Sequence, residues 1–450
     1  MTIKVINHGQ SDTDIKNYDS KRYYDPAYME AEWQHLWRKS WLLAGLVSDV
    51  REPGDYFVFD LGREQIIVTR TQNGDICGFY NVCQHRGNRL VTTERGRLNQ
   101  FRCRYHAWTY ELDGRLKSVP YEERFPAGVP CAQRSLQSVQ VAVWAGFVFV
   151  NLAQESESLQ TSLGLVVEHL DAYAFADMVL VEDQTVSLAC NWKAVIDNFS
   201  ELYHVDFLHP QHKRMVDCCN DTVHLFERGH TGLAVPGATV SPRFPIPEEP
   251  TDLQSAQLTS LGLDPKNFRG RVLDVREAVQ QAKREVGAQR GVDYSAFTNE
   301  QLSDVWQYNL FPNVVLSFTP EHCWVMRARP HPTDPQRCLF DKYSMLRMAA
   351  PDVFAAQGAI VGPGSSAEQH ALHTGAVRVR PQPDRFDHTA IIDGTKTMTD
   401  TIDQDIELLG DVQMGMASAG FDQVWLSEDE LRVQHFHDEL DARLLDAQLG

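Results

Sequence analysis

Residues 81–114 read NVCQHRGNRLVTTERGRLNQFRCRYHAWTYELDG and place two thiols and two imidazoles in one short stretch. Cys83 and His85 form a C-x-H pair and Cys103 and His106 a C-x-x-H pair, with seventeen residues between His85 and Cys103. The segments around them, DYFVFDL, QIIVTRT, ICGFYNV and VAVWAGFVFVNL, are short, β-branched and aromatic. Turn signals such as Asn73-Gly74 and Asp113-Gly114 separate the runs. The pattern predicts a small all-β domain over residues 41–155 that presents both pairs on hairpin tips.

Two thiolates and two imidazoles suit two kinds of metal centre. A structural zinc takes Cys2His2 tetrahedrally. A Rieske [2Fe–2S] cluster takes both cysteines on one iron and both histidines on the other. The tight C-x-H pair is not the C-x2–4-C knuckle of a zinc finger, and the surroundings are strands rather than a ββα unit. Trp108 and Tyr110 would shield one side of a cluster from water. C-x-H-R-G-N followed by C-x-Y-H-x-W-x-Y resembles the Rieske domain of the Rieske non-haem iron oxygenases, in the large (α, catalytic) subunit of the ring-hydroxylating type. The resemblance implies Cys83, His85, Cys103 and His106 as the cluster ligands.

The whole chain sets limits on function. At 450 residues it can bury a large core, and its composition is that of an ordinary globular protein. No apolar run approaches the roughly 20 residues that span a bilayer. The N-terminus has no signal-peptide core, so the expectation is a cytoplasmic protein without a membrane partner. Nine cysteines are an odd number in a large chain, which favours reduced thiols or metal ligands over a disulfide framework. A net charge of −19 argues against nucleic acid. Against that background, residues 81–117 hold eight basic and three acidic side chains. Such a patch is either a solvated, internally paired face or a docking surface for an acidic electron donor or neighbouring subunit.

The second dense stretch is NWKAVIDNFSELYHVDFLHPQH, residues 191–212. Its spacing predicts a helix with Asp197, Glu201 and His204 on one face. His204 and His209 lie about 500° apart around an ideal helix, so a continuous helix would separate them. Pro210 biases His209 away from the helical region, which lets the helix end and His209 turn back. Two imidazoles and a carboxylate from elsewhere would then form a facial triad suited to Fe(II) and dioxygen. D-N-F-x-E-x-Y-H-x4-H resembles the mononuclear iron motif of the same family. The resemblance implies His204 and His209 as iron ligands and Asn198 as an amide beside the iron. It implies Glu201 as the electron bridge to His106 of a neighbouring subunit. His212 is expected at the surface or behind the ligands, and the vicinal Cys218-Cys219 as an inert pair.

The missing carboxylate is sought further along. In DTIDQDIELLGDVQMGM, Leu408, Leu409, Val412 and Met416 form a helical stripe that Asp405 shares. A carboxylate on an apolar face is costly unless paired or metal-bound, which selects Asp405 over Asp403 and its other neighbours. Q-D-I-x-L-x-x-x-V-Q-x-G also resembles the third-ligand helix of the family.

Elsewhere, residues 25–41 predict one helix with Met29, Trp33, Leu36 and Trp37 on its buried face. Residues 155–180 predict a polar linker and a helix, and residues 304–348 a set of antiparallel strands. A Pro-rich and helical stretch at 232–300 would cover a pocket or contact a subunit. A C-terminal helix is expected to start at Ser427 with His435 and His437 at its surface.

The implied architecture is α+β: an N-terminal segment 1–40, the Rieske domain at 41–155, and a catalytic domain at 156–450 with an antiparallel sheet flanked by helices. The implied cofactors are a [2Fe–2S] cluster and a mononuclear Fe(II), with O2 as co-substrate. No G-x-G-x-x-G fingerprint opens a βαβ unit, so NAD(P)H would act through a separate reductase, with or without a ferredoxin. A homotrimer is implied, with or without a small β subunit. The expected activity is hydroxylation of an aromatic ring of a small organic substrate. Monooxygenation of a methyl group, with O- or N-demethylation, is the alternative. A pure electron carrier would need only the cluster, and a zinc-stabilised binding module neither iron site.

Overall fold

In the computed structural model, described for residues 2–10, 14–129, 131–212, 216–287, 293–347 and 380–446, the chain divides into two compact units. One comprises Glu30–Ser162 with Pro330–Asp334; the other comprises Met1–Met29, Leu163–Arg329 and Pro335–Gly450. The sequence reading places its boundaries at 40 and 155 instead. Among the described residues no helix is long and apolar enough to cross a membrane.

Beyond its opening helical turn the first unit is mainly β, with short 3-10 turns between strands and a helix beginning at Leu159. Seven strands between Leu42 and Asn151 form one sheet, and Phe101–Arg102, Thr109–Tyr110 and Leu116–Ser118 form a smaller one. Tyr56, Ile67, Phe79, Leu90, Phe101, Trp108 and Tyr110 fill the core, and Cys83 and Cys103 are buried among them. Gly114 turns at φ +83, and a Cβ there would lie 2.4 Å from the Phe79 ring, so both conformation and contact require glycine.

The second unit is built on a nine-stranded sheet. Its strands are β1 (Ile3–Asn7), β2 (Met178–Leu188), β3 (Thr222–Phe226), β4 (Thr231–Val235), β5 (Val305–Leu310), β6 (Val314–Phe318), β7 (His322–Pro330), β8 (Cys338–Arg347) and β9 (Asp384–Asp387). Their order is β1-β3-β4-β5-β6-β7-β8-β2-β9. The expected antiparallel sheet is extended at one edge, where β9 pairs parallel to β2. At the other edge β1, from the extreme N-terminus, pairs antiparallel to β3.

The helices used below are α1 (Pro26–Glu32), α2 (Trp192–Asn198), α3 (Val205–Leu208), α4 (Asp400–Met416) and α5 (Leu431–Asp446). Register partners Leu233–Gln307, Thr231–Asn309, Gln307–Ser317 and Ser317–Trp324 share one face of the sheet. That face meets α2 and α3: Phe199 stacks on Phe340 at 5.7 Å, and Val205 packs with Leu233 and Val235.

Four expectations are corrected. Residues 25–41 are not one α-helix, because α1 gives way to a π-helical turn at Trp33–Trp37 that still buries Trp33, Leu36 and Trp37. Residues 192–208 are not one helix either. Ser200 Oγ donates back to Ile196 O at 2.5 Å, and Glu201 accepts from the His204 backbone N–H at 3.1 Å. Such local bonds compete with the helical ladder, and the chain breaks between α2 and α3. In α4 the buried residues are Ile402, Asp405, Ile406, Leu409 and Gln413, while Leu408 and Val412 are exposed. His437 is fully buried in α5 rather than at the surface, because it lies on the same face as Val433, Phe436 and Leu440. The helix expected from Ser427 opens with a capping box between Ser427 and Glu430 and a 3-10 turn at Glu428–Glu430, and α5 follows.

Candidate functional site

The two thiol-imidazole tips share one backbone design. In the first, Cys83 N–H donates to Asn88 O at 2.8 Å and Gly87 N–H donates to Cys83 O at 3.0 Å. In the second, Cys103 N–H donates to Trp108 O at 2.9 Å and Ala107 N–H to Cys103 O at 3.0 Å. Each loop therefore closes four and five residues after its cysteine. The fourth residue is left-handed in both, Gly87 at φ +74 and Ala107 at φ +57.

The sulfurs sit in donor cradles. Backbone N–H groups of Tyr105 and His106 point at Cys103 Sγ, and Asn88 Nδ2 lies 3.7 Å from it. Tyr110 accepts from Gln84 N–H at 3.0 Å, which leaves its hydroxyl hydrogen for Cys83 Sγ at 3.3 Å. Burial pushes the Cys83 thiol up. Burial acts the same way on Cys103, but its backbone donors outweigh it and hold that thiol below the usual range. The His85 and His106 rings are 4.6 Å apart, and His85 stacks flat on Trp108 at 4.9 Å. His85 Nδ1 is buried with no hydrogen-bond partner, an atom that a metal would satisfy. Two buried sulfurs and two adjacent imidazoles fit the ligand set of a [2Fe–2S] cluster.

The second constellation joins α3 and its flanks to α4. One ligand atom each from His204, His209 and Asp405 lies within 4.8 Å of the others. Asp405 Oδ1 is 3.1 Å from His209 Nε2 and 3.5 Å from His204 Nε2. The far nitrogens are anchored. His204 Nδ1 faces Glu201 Oε1, and His209 Nδ1 faces Gln404 Oε1 at 2.7 Å. Gln211 Nε2 donates to the same Gln404 oxygen at 2.8 Å. Both Nδ1 atoms thus meet acceptors, which directs both Nε2 lone pairs toward Asp405.

Asp405 Oδ1 is buried without a hydrogen bond of acceptable geometry, although both imidazoles are close. Three electron-pair donors at one buried point repel one another unless a cation sits between them, so this residue set fits a divalent metal. Burial opposes protonation of His204, but the Glu201 hydrogen bond and the Glu201 and Asp405 charges outweigh it and raise its pKa.

His209 can take part because α3 ends at Leu208, and His209 adopts φ −114, ψ 71 directly before Pro210. Asn198 closes α2 with Nδ2 buried and unpartnered among the described residues; it is outside the three-residue group. His212 is also outside it, with Nε2 at 2.8 Å from Thr401 Oγ1. Cys218 is buried and its thiol is pushed up to about 12 by burial.

Asp197 does not share a helix face with Glu201. Its Oδ2 accepts from Tyr23 OH at 2.6 Å and its Oδ1 from His437 Nε2 at 3.0 Å. Arg22 donates to His437 Nδ1 at 2.9 Å, which fixes the hydrogen on Nε2. Sequence reasoning missed Gln404, Tyr23 and His437. Only His437 carried a signal, its position on the apolar stripe of α5.

The charge patch resolves into two halves. Arg95, Arg97, Arg115 and Lys117 pair with nearby carboxylates. Arg86, Arg89, Arg102 and Arg104 are exposed, make no ion pair among the described residues, and flank the two tips. In the other unit, Glu201 borders a cleft with Tyr203, Asp221, Arg243, Glu428 and Asp429.

Residues 175–446 match the family described as "Ring hydroxylating alpha subunit (catalytic domain)", and residues 40–140 the one described as "Rieske [2Fe-2S] domain". A glycine betaine monooxygenase oxygenase subunit of Pseudomonas aeruginosa is 32% identical over 189 residues, 42% of this chain and 44% of that one. Benzene 1,2-dioxygenase subunit alpha of Pseudomonas putida is 32% identical over 191 residues, 41% of this chain and 42% of that one. The chain thus matches less than half the length of these curated relatives. The quaternary ammonium Rieske monooxygenase CntA, solved with L-carnitine, shares the fold at TM-score 0.66 and 19% identity, over 96% of each chain.

Proposed function

The chain belongs to the ring-hydroxylating alpha-subunit family, and on that premise we propose that it is the oxygenase component of a multicomponent Rieske non-haem iron oxygenase. The observation that carries this reading is Glu201 against His204, beside the buried convergence of His204, His209 and Asp405, in a chain that also holds the Cys83–His85–Cys103–His106 tips. The proposed ligands are those four residues for the cluster and His204, His209 and Asp405 for iron. Bound there, the cluster supplies single electrons and the iron supplies open positions for dioxygen chemistry.

The protein's own residues prepare that chemistry. Glu201 and Gln404 hold the imidazoles by Nδ1, so that both Nε2 atoms meet Asp405. Burial of His209 and Asp405, each 2% exposed, keeps water from competing for the site. Glu201 reaches the cleft on its other side, which suits a bridge to His106 of a neighbouring copy in a homotrimer, with or without a β subunit. The unpaired arginines around the tips suit an acidic partner, either a reductase or ferredoxin fed by NAD(P)H or the acid-rimmed cleft of the next subunit. A cytoplasmic location suits that supply of reductant.

The proposed reaction is hydroxylation of an aromatic ring. A second reading, monooxygenation at a methyl group, draws on the relatives named glycine betaine monooxygenase. With a surrogate NADH-dependent reductase, arenes should give hydroxylated rings if the first holds, and methylated amines or ethers should give formaldehyde matching oxygen uptake if the second holds. A protein loaded with both centres that consumes oxygen yet yields neither product across the panel contradicts both.

A further inference from the structure

Arg432, in the first turn of α5, is 1% exposed and makes no ion pair among the described residues. Its partners are neutral: Nε donates to Thr231 Oγ1 at 3.0 Å, one terminal nitrogen to Gln307 Oε1 at 2.8 Å, and the other to Asn309 Oδ1 at 2.7 Å. Thr231 and Asn309 are direct partners across β4 and β5, so the guanidinium sits over the sheet face that carries α2 and α3. A buried cation without a counter-charge is expensive to keep. Burial accordingly pushes its pKa down to about 9, against the opposing charges of Asp221 and Glu201.

The guanidinium can only donate, and that fixes everything downstream. Asn309 must turn its oxygen to Arg432, which turns its amide nitrogen to Ser200 Oγ at 2.5 Å. Ser200 Oγ, having accepted, gives its own hydrogen to Ile196 O at 2.5 Å. Ser200 is fully buried, and its backbone N–H bonds Asp197 O at 2.9 Å. These bonds close the end of α2. The next residue is Glu201.

We propose that Arg432, Asn309 and Ser200 form a one-way hydrogen-bond relay that places the Glu201 carboxylate, making Arg432 and Asn309 positioning residues for electron transfer between the two metal centres. The inference rests on the reading of Glu201 as the bridge. A relay of aligned donors strengthens each link, so losing one link loosens the chain segment that carries Glu201.

Two variants separate the relay from simple packing or charge. Asn309→Asp gives Arg432 a carboxylate partner but removes the N–H that Ser200 accepts. Ser200 must then release Ile196 O or lose its contact. Gln307→Glu gives the same guanidinium the same counter-charge and leaves Asn309 and Ser200 untouched. The readout is electron transfer from the dithionite-reduced cluster to a peroxide-oxidised mononuclear iron, followed by cluster absorbance in the fully loaded protein. The electron paramagnetic resonance signal of the nitric oxide adduct at the ferrous site reports the surroundings of His204 independently.

Asn309→Asp should slow transfer about tenfold or more and shift the nitric oxide signal, while Gln307→Glu stays within about twofold of wild type. Glu201→Gln is the reference and should slow transfer at least as much. If Asn309→Asp fails to load metal, Ser200→Ala removes the same link and should give the same slowing. Equal rates for Asn309→Asp and Gln307→Glu, with Glu201→Gln slow, overturn the relay alone. A Glu201→Gln protein as fast as wild type overturns the bridge reading and the relay with it.

Discussion

The cluster tips and the three-residue site solve the same problem, holding several electron-pair donors close together, by opposite means. Each tip is local. Six consecutive residues carry the proposed ligands, close the loop with two backbone hydrogen bonds, and aim further N–H groups at sulfur. The His204–His209–Asp405 group is distributed. Its members come from a broken helix and from α4, nearly 200 residues away, and each imidazole needs a side chain behind it. The local design tolerates change around it and fails when a ligand goes. The distributed design depends on residues that never touch the metal.

The largest effects should fall on the proposed ligands of the local site. Cys103→Ser should abolish the cluster absorbance, since serine offers no thiolate, while the catalytic unit keeps its own fold. A cluster spectrum of wild-type shape in that variant would remove Cys103 from the ligand set. At the distributed site, Glu201→Gln should retain both centres yet lose about a hundredfold in turnover, the upper end for a residue behind a ligand. Turnover near wild type would remove Glu201 from that role.

Smaller effects are expected around the tips. Reduction by the donor should slow as salt rises, because the unpaired Arg86, Arg89, Arg102 and Arg104 surround the tips. A salt-independent rate would assign that patch no docking role. Gly87 and Ala107 occupy equivalent left-handed positions, and a Cβ at Gly87 would meet nothing within 4 Å. Gly87→Ala should therefore cost about 1 kcal/mol by backbone strain alone. Ala107→Gly should change stability little, as strain relief offsets added unfolded-state entropy.

Acid should act on the second unit. Burial holds His224 and His322 down at about 4. An unfolded histidine titrates near 6.5, so between about 6.5 and 4 the unfolded chain binds more protons and stability falls as pH falls. The urea midpoint should drop from pH 7 to pH 5, and less steeply in His322→Asn.

The same contrast explains what the sequence disclosed. The tips were legible because ligands, turn residues and shielding aromatics are contiguous; Trp108 does stack on His85, and Tyr110 does reach Cys83. The α+β class was legible in the contrast between the short β-branched runs of 41–155 and the helical patterns beyond them. At the distributed site, Pro210 marked the helix end at His209, and Asp405 stood out as a carboxylate among apolar neighbours. Yet two of the residues read into that stripe, Leu408 and Val412, face solvent, because a short apolar repeat fits more than one helix face. The break between α2 and α3 was only half legible: the bonds from Ser200 to Ile196 O and from His204 N–H to Glu201 are local, but the Asn309 amide that orients the Ser200 hydroxyl lies 109 residues downstream. Gln404 and Tyr23 were equally silent, their partners being 195 and 174 residues away.

The most direct test of the distributed site is iron and sulfide analysis of Asp405→Ala beside wild type. Wild type should hold about three irons and two sulfides per chain. Asp405→Ala should fall to about two irons with the cluster spectrum unchanged. A third iron retained in that variant would contradict the assignment of Asp405 and move the search to Asp403, whose carboxylate bonds Met398 N–H at 2.8 Å.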